Sequence, residues 1–401
     1  MLDEPRLKVI SGGRKKSSPK AWGLVVGTSG KPDPCIANAV ALVEHAHDWG
    51  QAGVLRYDTF ADAALLEGRR ISEADELALA VWLQRGWNTK FSDTVASKAI
   101  RAVALRHMTD SLGEYVEGVA WDGVARVDTF APAYLAAEDT PHHRAAGRVL
   151  LLSMAARALH PGCKVDTMVI LEGAQGTGKS TAAAILGGPF FAELHASVGT
   201  QAAQEQVKGA WLMEVGELDA MSRAEVGAAK KFMSSQSDRF RRAYARDVAD
   251  VPRRCVMVGT TNVSVYLRDE TGARRWLPIR CGSVDLAALR RDRDQLHAEA
   301  VARVKAGMPW HLSDADEVKA AAAAAEERYE EDPWSARLEE YVRLRDTVTM
   351  DECFAILTVP VEARNQGLAN RISKILVHLK WTRGRRWNAS IGNSERCYTK
   401  P

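Results

Sequence analysis

Two hydrophobic patterns divide the chain: apolar residues recurring every three or four positions, and short, continuous apolar runs bounded by turn residues. The first pattern dominates residues 35–160. IANAVALVEHAHDW and DELALAVWLQRGW each place apolar side chains on one helical face, with a strand-like GVLRYDTF between them. VEGVAWDGVARVDTF holds a Trp-Asp-Gly turn, and the helical AAGRVLLLSMAARAL stops at His160-Pro161-Gly162. The second pattern follows. DTMVILEG, AWLMEVGE and RCVMVGTTN are buried-strand runs alternating with helical segments, which predicts an α/β core with a parallel sheet over residues 161–285. Residues 286–332 return to helix, including an alanine run at 320–325, and Asp332-Pro333 breaks it. The final unit, 333–401, carries Leu368, Ile372, Ile375, Leu376 and Leu379 on one helical face. Two strand candidates follow, around WTRGRRW and RCYTK. Residues 1–34 read as a flexible basic lead, with Gly12-Gly13 and Ser17-Ser18-Pro19 as breakers.

Composition adds bounds. A chain of 401 residues with 46% apolar and 26% charged positions has the makeup of a soluble protein with room for two or three domains. Its longest apolar runs fall short of the roughly 18 residues needed to cross a bilayer, and the basic N-terminus lacks the apolar stretch of a secretory signal. The six cysteines (Cys35, Cys163, Cys255, Cys281, Cys353, Cys397) form no CxxC pair or Cys/His cluster. Reduced thiols in the cytoplasm are expected, and a zinc site is not. The net charge of +3 says little, but its layout says more. Basic stretches at 223–254 and 361–401 flank an acidic one at 311–340. They are either two contacts for an anionic polymer or solvated faces.

The strongest chemical signal is GAQGTGKS, Gly173 to Ser180, which matches G-x-x-x-x-G-K-[ST] between an apolar strand and a helix. Gly173, Gly176 and Gly178 let the backbone curl so that successive N–H groups face a phosphate chain at a helix N-terminus. Lys179 would reach the β- and γ-phosphates and Ser180 would hold Mg²⁺. With Thr177 and Thr181, these residues make the candidate ATP site. Hydrolysis also needs a carboxylate at the end of a neighbouring strand. AWLMEVGELD offers Glu217, the favoured choice, and Glu214, and both are candidates for the metal as well. Asn262, at the end of RCVMVGTTN, could orient the attacking water. The adjacent Arg274 and Arg275 of DETGARRWLPI require an anion if they are to be buried.

In this order, GAQGTGKS, WLMEVGELD, KKFMSSQSDRFRRAY, PRRCVMVGTTN and YLRDETGARRWLPI resemble the virulence-associated protein E family, together with the upstream WDGVARVD and MAARALHPGCKVD. Its members are encoded by phages and genomic islands and are similar to superfamily 3 helicases of the AAA+ class. The resemblance implies a P-loop AAA+ core preceded by a helical domain. It further implies an ATP-driven motor on single-stranded DNA, working as a ring, with a hexamer expected, in replication of a mobile element within a bacterial cytoplasm. By position, Lys179 and Ser180 match Walker A, Glu214 or Glu217 Walker B, Asn262 sensor 1, and Arg274 or Arg275 the arginine finger. Val215-Gly216 separates the two glutamates, where relatives often have adjacent acidic residues. Many relatives also carry a primase domain, so a separate primase is an expected partner.

Between the acidic strand and Asn262, such motors carry a DNA-tracking hairpin. Here Lys230, Lys231, Arg239, Arg241, Arg242 and Arg246 supply charge, while Phe240 and Tyr244 could stack on bases. The C-terminal unit resembles a winged helix. Arg371, Lys374, Arg383, Arg385 and Arg386 would meet phosphates or a groove, extending contact to duplex origin DNA. An ATP-switched DNA-binding initiator or regulator without unwinding activity is the alternative to a helicase.

Overall fold

The structure, a computed structural model, describes residues 22–51, 53–216, 223–241, 248–267, 275–328, 332–388 and 393–400. The chain forms two compact units, residues 1–115 and 116–401. In the first, α1 (Ile36–Ala46) precedes the strands β1 (Leu55–Asp58), β2 (Ala63–Leu66) and β3 (Arg69–Arg70). Helices α2 (Glu73–Trp87) and α3 (Asp93–Ala104) follow, then β4 (Met108–Thr109) and α4 (Ser111–Gly118). A capping box on Ser72 and Asp75 starts α2, and Asn88 ends it in the left-handed conformation. The sheet order is β3-β2-β1-β4, and Leu42, Leu55, Leu79, Leu83 and Ile100 pack beneath it. The expected single strand thus lies within a four-stranded sheet, paired with β2 and β4.

The second unit opens with α5 (Phe130–Tyr134) and α6 (Pro141–Leu159), then β5 (Met168–Glu172), α7 (Lys179–Gly187) and β6 (Phe191–Glu193). Next come α8 (Gln201–Gln206), β7 (Leu212–Val215), α9 (Arg223–Met233), the antiparallel pair β8 (Ser237–Arg241) and β9 (Val248–Pro252), β10 (Val256–Thr261) and β11 (Trp276–Arg280). Strands β5, β6, β7, β10 and β11 form one parallel sheet in the order β11-β5-β10-β7-β6, so the predicted α/β core is present. Met168 and Ile170 join Met213, Val215, Met257 and Trp276 in a cluster closed by Phe232, Met233 and Ala325. Their near-continuous apolar character reflects burial of the strands on both faces.

Residue 160 is not a domain boundary. Helix α6 packs on β5, β10 and β11, and its Met154 carbonyl accepts the indole N–H of Trp211 at 2.7 Å. It also packs on α10 (Leu286–Lys305) and α11 (Ala315–Glu326). Being apolar on nearly every side, α6 belongs between layers, a placement its periodicity could not reveal. The C-terminal elements are α12 (Ser335–Val342), β12 (Thr347–Thr349), α13 (Met350–Ile356), α14 (Gln366–His378) and a hairpin, β13 (Thr382–Asn388) and β14 (Asn393–Thr399). They share a core of Leu338, Val348, Phe354, Ile372, Leu376 and Trp381 under a sheet ordered β12-β14-β13. Among the described residues, no helix is long and apolar enough to cross a membrane.

Candidate nucleotide site

Strand β5 ends at Glu172 and α7 begins at Lys179, with Gly178 as its left-handed N-cap (φ 96°). Gly173 (φ 148°) and Gly178 pack against residues 281–286. A β-carbon on Gly173 would lie 2.7 Å from the Cys281 carbonyl oxygen, and one on Gly178 would meet Val284 and Leu286. The Val284 N–H bonds the Thr177 carbonyl at 3.1 Å, so the loop is held from outside. At Gly173 only glycine allows both the backbone conformation and this close approach, while at Gly178 the positive φ alone favours it.

The buried Lys179 ammonium donates to the carbonyls of Gly173 and Ala174, both at 2.8 Å, and to Asn262 Oδ1 at 3.1 Å. The Ser180 hydroxyl donates to Glu214 Oε1 at 2.6 Å, and Thr260 donates to the same oxygen at 2.7 Å. Sheet order produces these meetings. Strand β10 lies between β5 and β7, and its register sets Val258 beside both Val169 and Glu214. Lysine and serine from the phosphate loop therefore face an amide from one adjoining strand and a carboxylate from the next. Glu214 is only 4% exposed, and its Oε2 has no hydrogen-bond partner among the described residues. A buried carboxylate oxygen without a donor, beside a serine hydroxyl at a phosphate loop, fits a hard cation such as Mg²⁺. No cluster of three His, Cys, Asp or Glu side chains offers another metal site among the described residues.

A family model for the virulence-associated protein E-like domain matches residues 116–331, more than half of the chain. The chain belongs to this family. No curated protein sequence matches it. Among solved structures, the apo C-terminal region of NrS-1 (residues 305–718) resembles it with a TM-score of 0.47 and 11% identity, covering 86% of this chain and 95% of that one. A full-length MCM homolog from Methanopyrus kandleri has a TM-score of 0.29 and 15% identity, covering 55% and 56%. Neither likeness is close enough to support a functional argument. The match to the virulence-associated protein E-like model begins at the division between the two units.

The remaining candidates separate. Glu217 and Arg274 lie outside the described residues, as do Arg242, Tyr244 and Arg246. Arg275 immediately precedes β11, whose Trp276 pairs with Met168 at the start of β5. Six residue steps along parallel strands separate its level from Gly173, about 20 Å and well beyond an arginine side chain. Arg275 therefore lies at the opposite end of the sheet from its own phosphate loop.

In the hairpin, Arg239 is exposed and Arg241 pairs with Val248 across the strands. Lys231 is exposed at the end of α9, but Lys230 is buried, which removes it from the surface offered to a phosphate backbone. Sequence reasoning missed the hairpin's base. Buried Asp238 and Arg253 pair there, with Nε–Oδ2 at 2.8 Å, and the guanidinium of Arg157 donates to the carbonyls of Arg253 (2.9 Å) and Ser235 (3.1 Å). In the C-terminal unit, Arg385 is exposed. Arg383 donates to Ser373 Oγ at 2.9 Å, Arg386 to Glu352 at 2.9 Å, and Arg371 grips Asp332 through two 2.7 Å bonds while stacking on Trp334. Arg371 and Arg386 thus serve internal ion pairs, and the open charge of the β13–β14 hairpin rests on the exposed residues Arg383, Arg385 and Arg396.

Proposed function

We propose that the chain is a DNA helicase or translocase that hydrolyses Mg-ATP and works as a ring, with a superfamily 3-like AAA+ core and a winged-helix-like C-terminal domain. The observation behind this reading is the convergence of Lys179 and Ser180 from the start of α7 with Glu214 of β7 and Asn262 at the end of β10. Loop amides and the α7 N-terminus cradle the phosphates. Lys179 exchanges its loop carbonyls for β- and γ-phosphate oxygens, and Asn262 follows the γ-phosphate. Ser180 and Glu214 would hold Mg²⁺, which supplies neutralisation of phosphate charge. Thr260 fixes the carboxylate rotamer, and the water is activated by Glu214 or Glu217.

The position of Arg275, far from its own loop, supports its action or that of Arg274 on a neighbouring copy. A finger of this kind contributes about 10³–10⁵ in rate. A hexamer, a tracking hairpin on single-stranded DNA, duplex contact through Arg383 and Arg385, a separate primase and a cytoplasmic setting complete the proposal. ATP turnover stimulated by single-stranded DNA, with displacement of a paired strand, tests it. Both activities should vanish in Lys179→Ala. Turnover without displacement would favour the DNA-binding initiator or regulator, and turnover that survives Lys179→Ala would overturn the nucleotide assignment.

A further inference from the structure

A groove between α7 and α10 begins where the phosphate loop ends. A β-carbon on Gly178 would meet Leu286, the first residue of α10. Arg290 and Arg293 follow Leu286 at i+4 and i+7 and share its face of the helix. Thr181, Ala184, Ile185 and Gly188 recur at the matching spacing along α7 and its C-cap. Together these residues line an open cavity of about 470 Å³. Small-ligand sites usually measure about 300–1,000 Å³. Thr181 to Gly188 spans about 10 Å. Beside the groove the two helices are fastened, with His297 Nε2 2.9 Å from the Leu186 carbonyl.

Floor and wall differ in chemistry. Ile185 is buried and Ala184 half-buried, an apolar floor, whereas Arg290 is exposed. Arg293 is half-buried, and its Nε donates to Asp294 Oδ1 at 2.8 Å. A β-carbon on Gly188 would lie 2.7 Å from Arg293 Nη1, so glycine leaves room for that guanidinium at the far end. The groove also has a direction. Lys179 faces Asn262 and Ser180 faces Glu214, which sets the γ-phosphate and metal of the reading above on the sheet side of the loop. Thr181, about 100° further round α7 than Ser180, lines the groove on the α10 side. A nucleotide whose γ-phosphate faces the sheet leads its other end this way. We propose that the groove is the nucleoside subsite. The base lies on Ala184 and Ile185 beneath the planar guanidinium of Arg290, and Arg293 donates to acceptors on its far edge. The inference rests on the nucleotide reading above.

Mg-ATP and Mg-tripolyphosphate, which lacks base and sugar, separate the groove from the phosphate cradle. Arg290→Ala removes the guanidinium, and Ala184→Leu fills the groove. Each should weaken ATP binding to the full chain about tenfold by calorimetry and leave tripolyphosphate binding within about twofold. Lys179→Ala should weaken both ligands. Equal losses for the two ligands, or no loss for ATP, in either groove variant would overturn the subsite and leave the nucleotide reading standing. ATP binding that is unchanged in Lys179→Ala would overturn both. Photolabelling of the unaltered chain with 8-azido-ATP needs no variant and so covers a failure to fold. The label should fall on peptides from residues 181–188 or 290–293. Its absence, or its confinement to other peptides, would refute the assignment.

Discussion

Replacing Glu214 with glutamine isolates the charge at the centre of the site. The substitution keeps side-chain volume and an acceptor for both hydroxyls, Ser180 at 2.6 Å and Thr260 at 2.7 Å. Charge-assisted bonds contribute about 1.5–3 kcal/mol and neutral ones about 0.5–1.5, so each bond weakens by about 1 kcal/mol. Against this loss, a neutral amide NH2 takes the place of the buried, unpartnered Oε2, so no charge is left without a partner there, a relief of similar size. Folding stability should therefore change by less than about 2 kcal/mol. Turnover should suffer far more, because the carboxylate beside Ser180 would hold the metal and polarise the water. Loss of a preorganised group of this kind costs about 10²–10³ in kcat. Steady-state ATP turnover with single-stranded DNA, fluorescent-nucleotide titration and a thermal melt read the three quantities. The reasoning fails if Glu214→Gln keeps turnover within about threefold while Glu217→Gln abolishes it, since Glu214 would then be only a strut.

Two further outcomes follow from buried charge elsewhere. Asp238→Ala strands the Arg253 guanidinium in the base of the hairpin and should lower stability by about 3–5 kcal/mol, read as a fall in denaturation midpoint. An unchanged midpoint would mean that the pair does not hold the stem. His297 is 3% exposed, with Nε2 2.9 Å from the Leu186 carbonyl, and burial lowers its pKa to about 4. The unfolded chain takes up the proton near 6.5 and the folded chain only near 4, so stability should fall as pH drops through that window. The full loss is on the order of 3 kcal/mol. Melts from pH 7 to 4.5 should show the decline, and His297→Gln should flatten it.

Local chemistry made much of the site legible in the chain itself. Glycine spacing around Lys179 marks a tightly curled loop because positive φ at Gly173, Gly176 and Gly178 favours glycine, and the apolar runs around Val169, Met213 and Val258 announce buried parallel strands. Residue 160 looked like a boundary because amphipathic and fully apolar helices carry the same stop signals, and only packing shows that α6 lies within the core. The Lys230 ammonium looked available because charge usually faces water, yet its position on α9 buries it. Motif residues could be named from sequence, but their meeting could not. Glu214 reaches Ser180 because β10 inserts between β5 and β7, a matter of sheet order that no local pattern encodes.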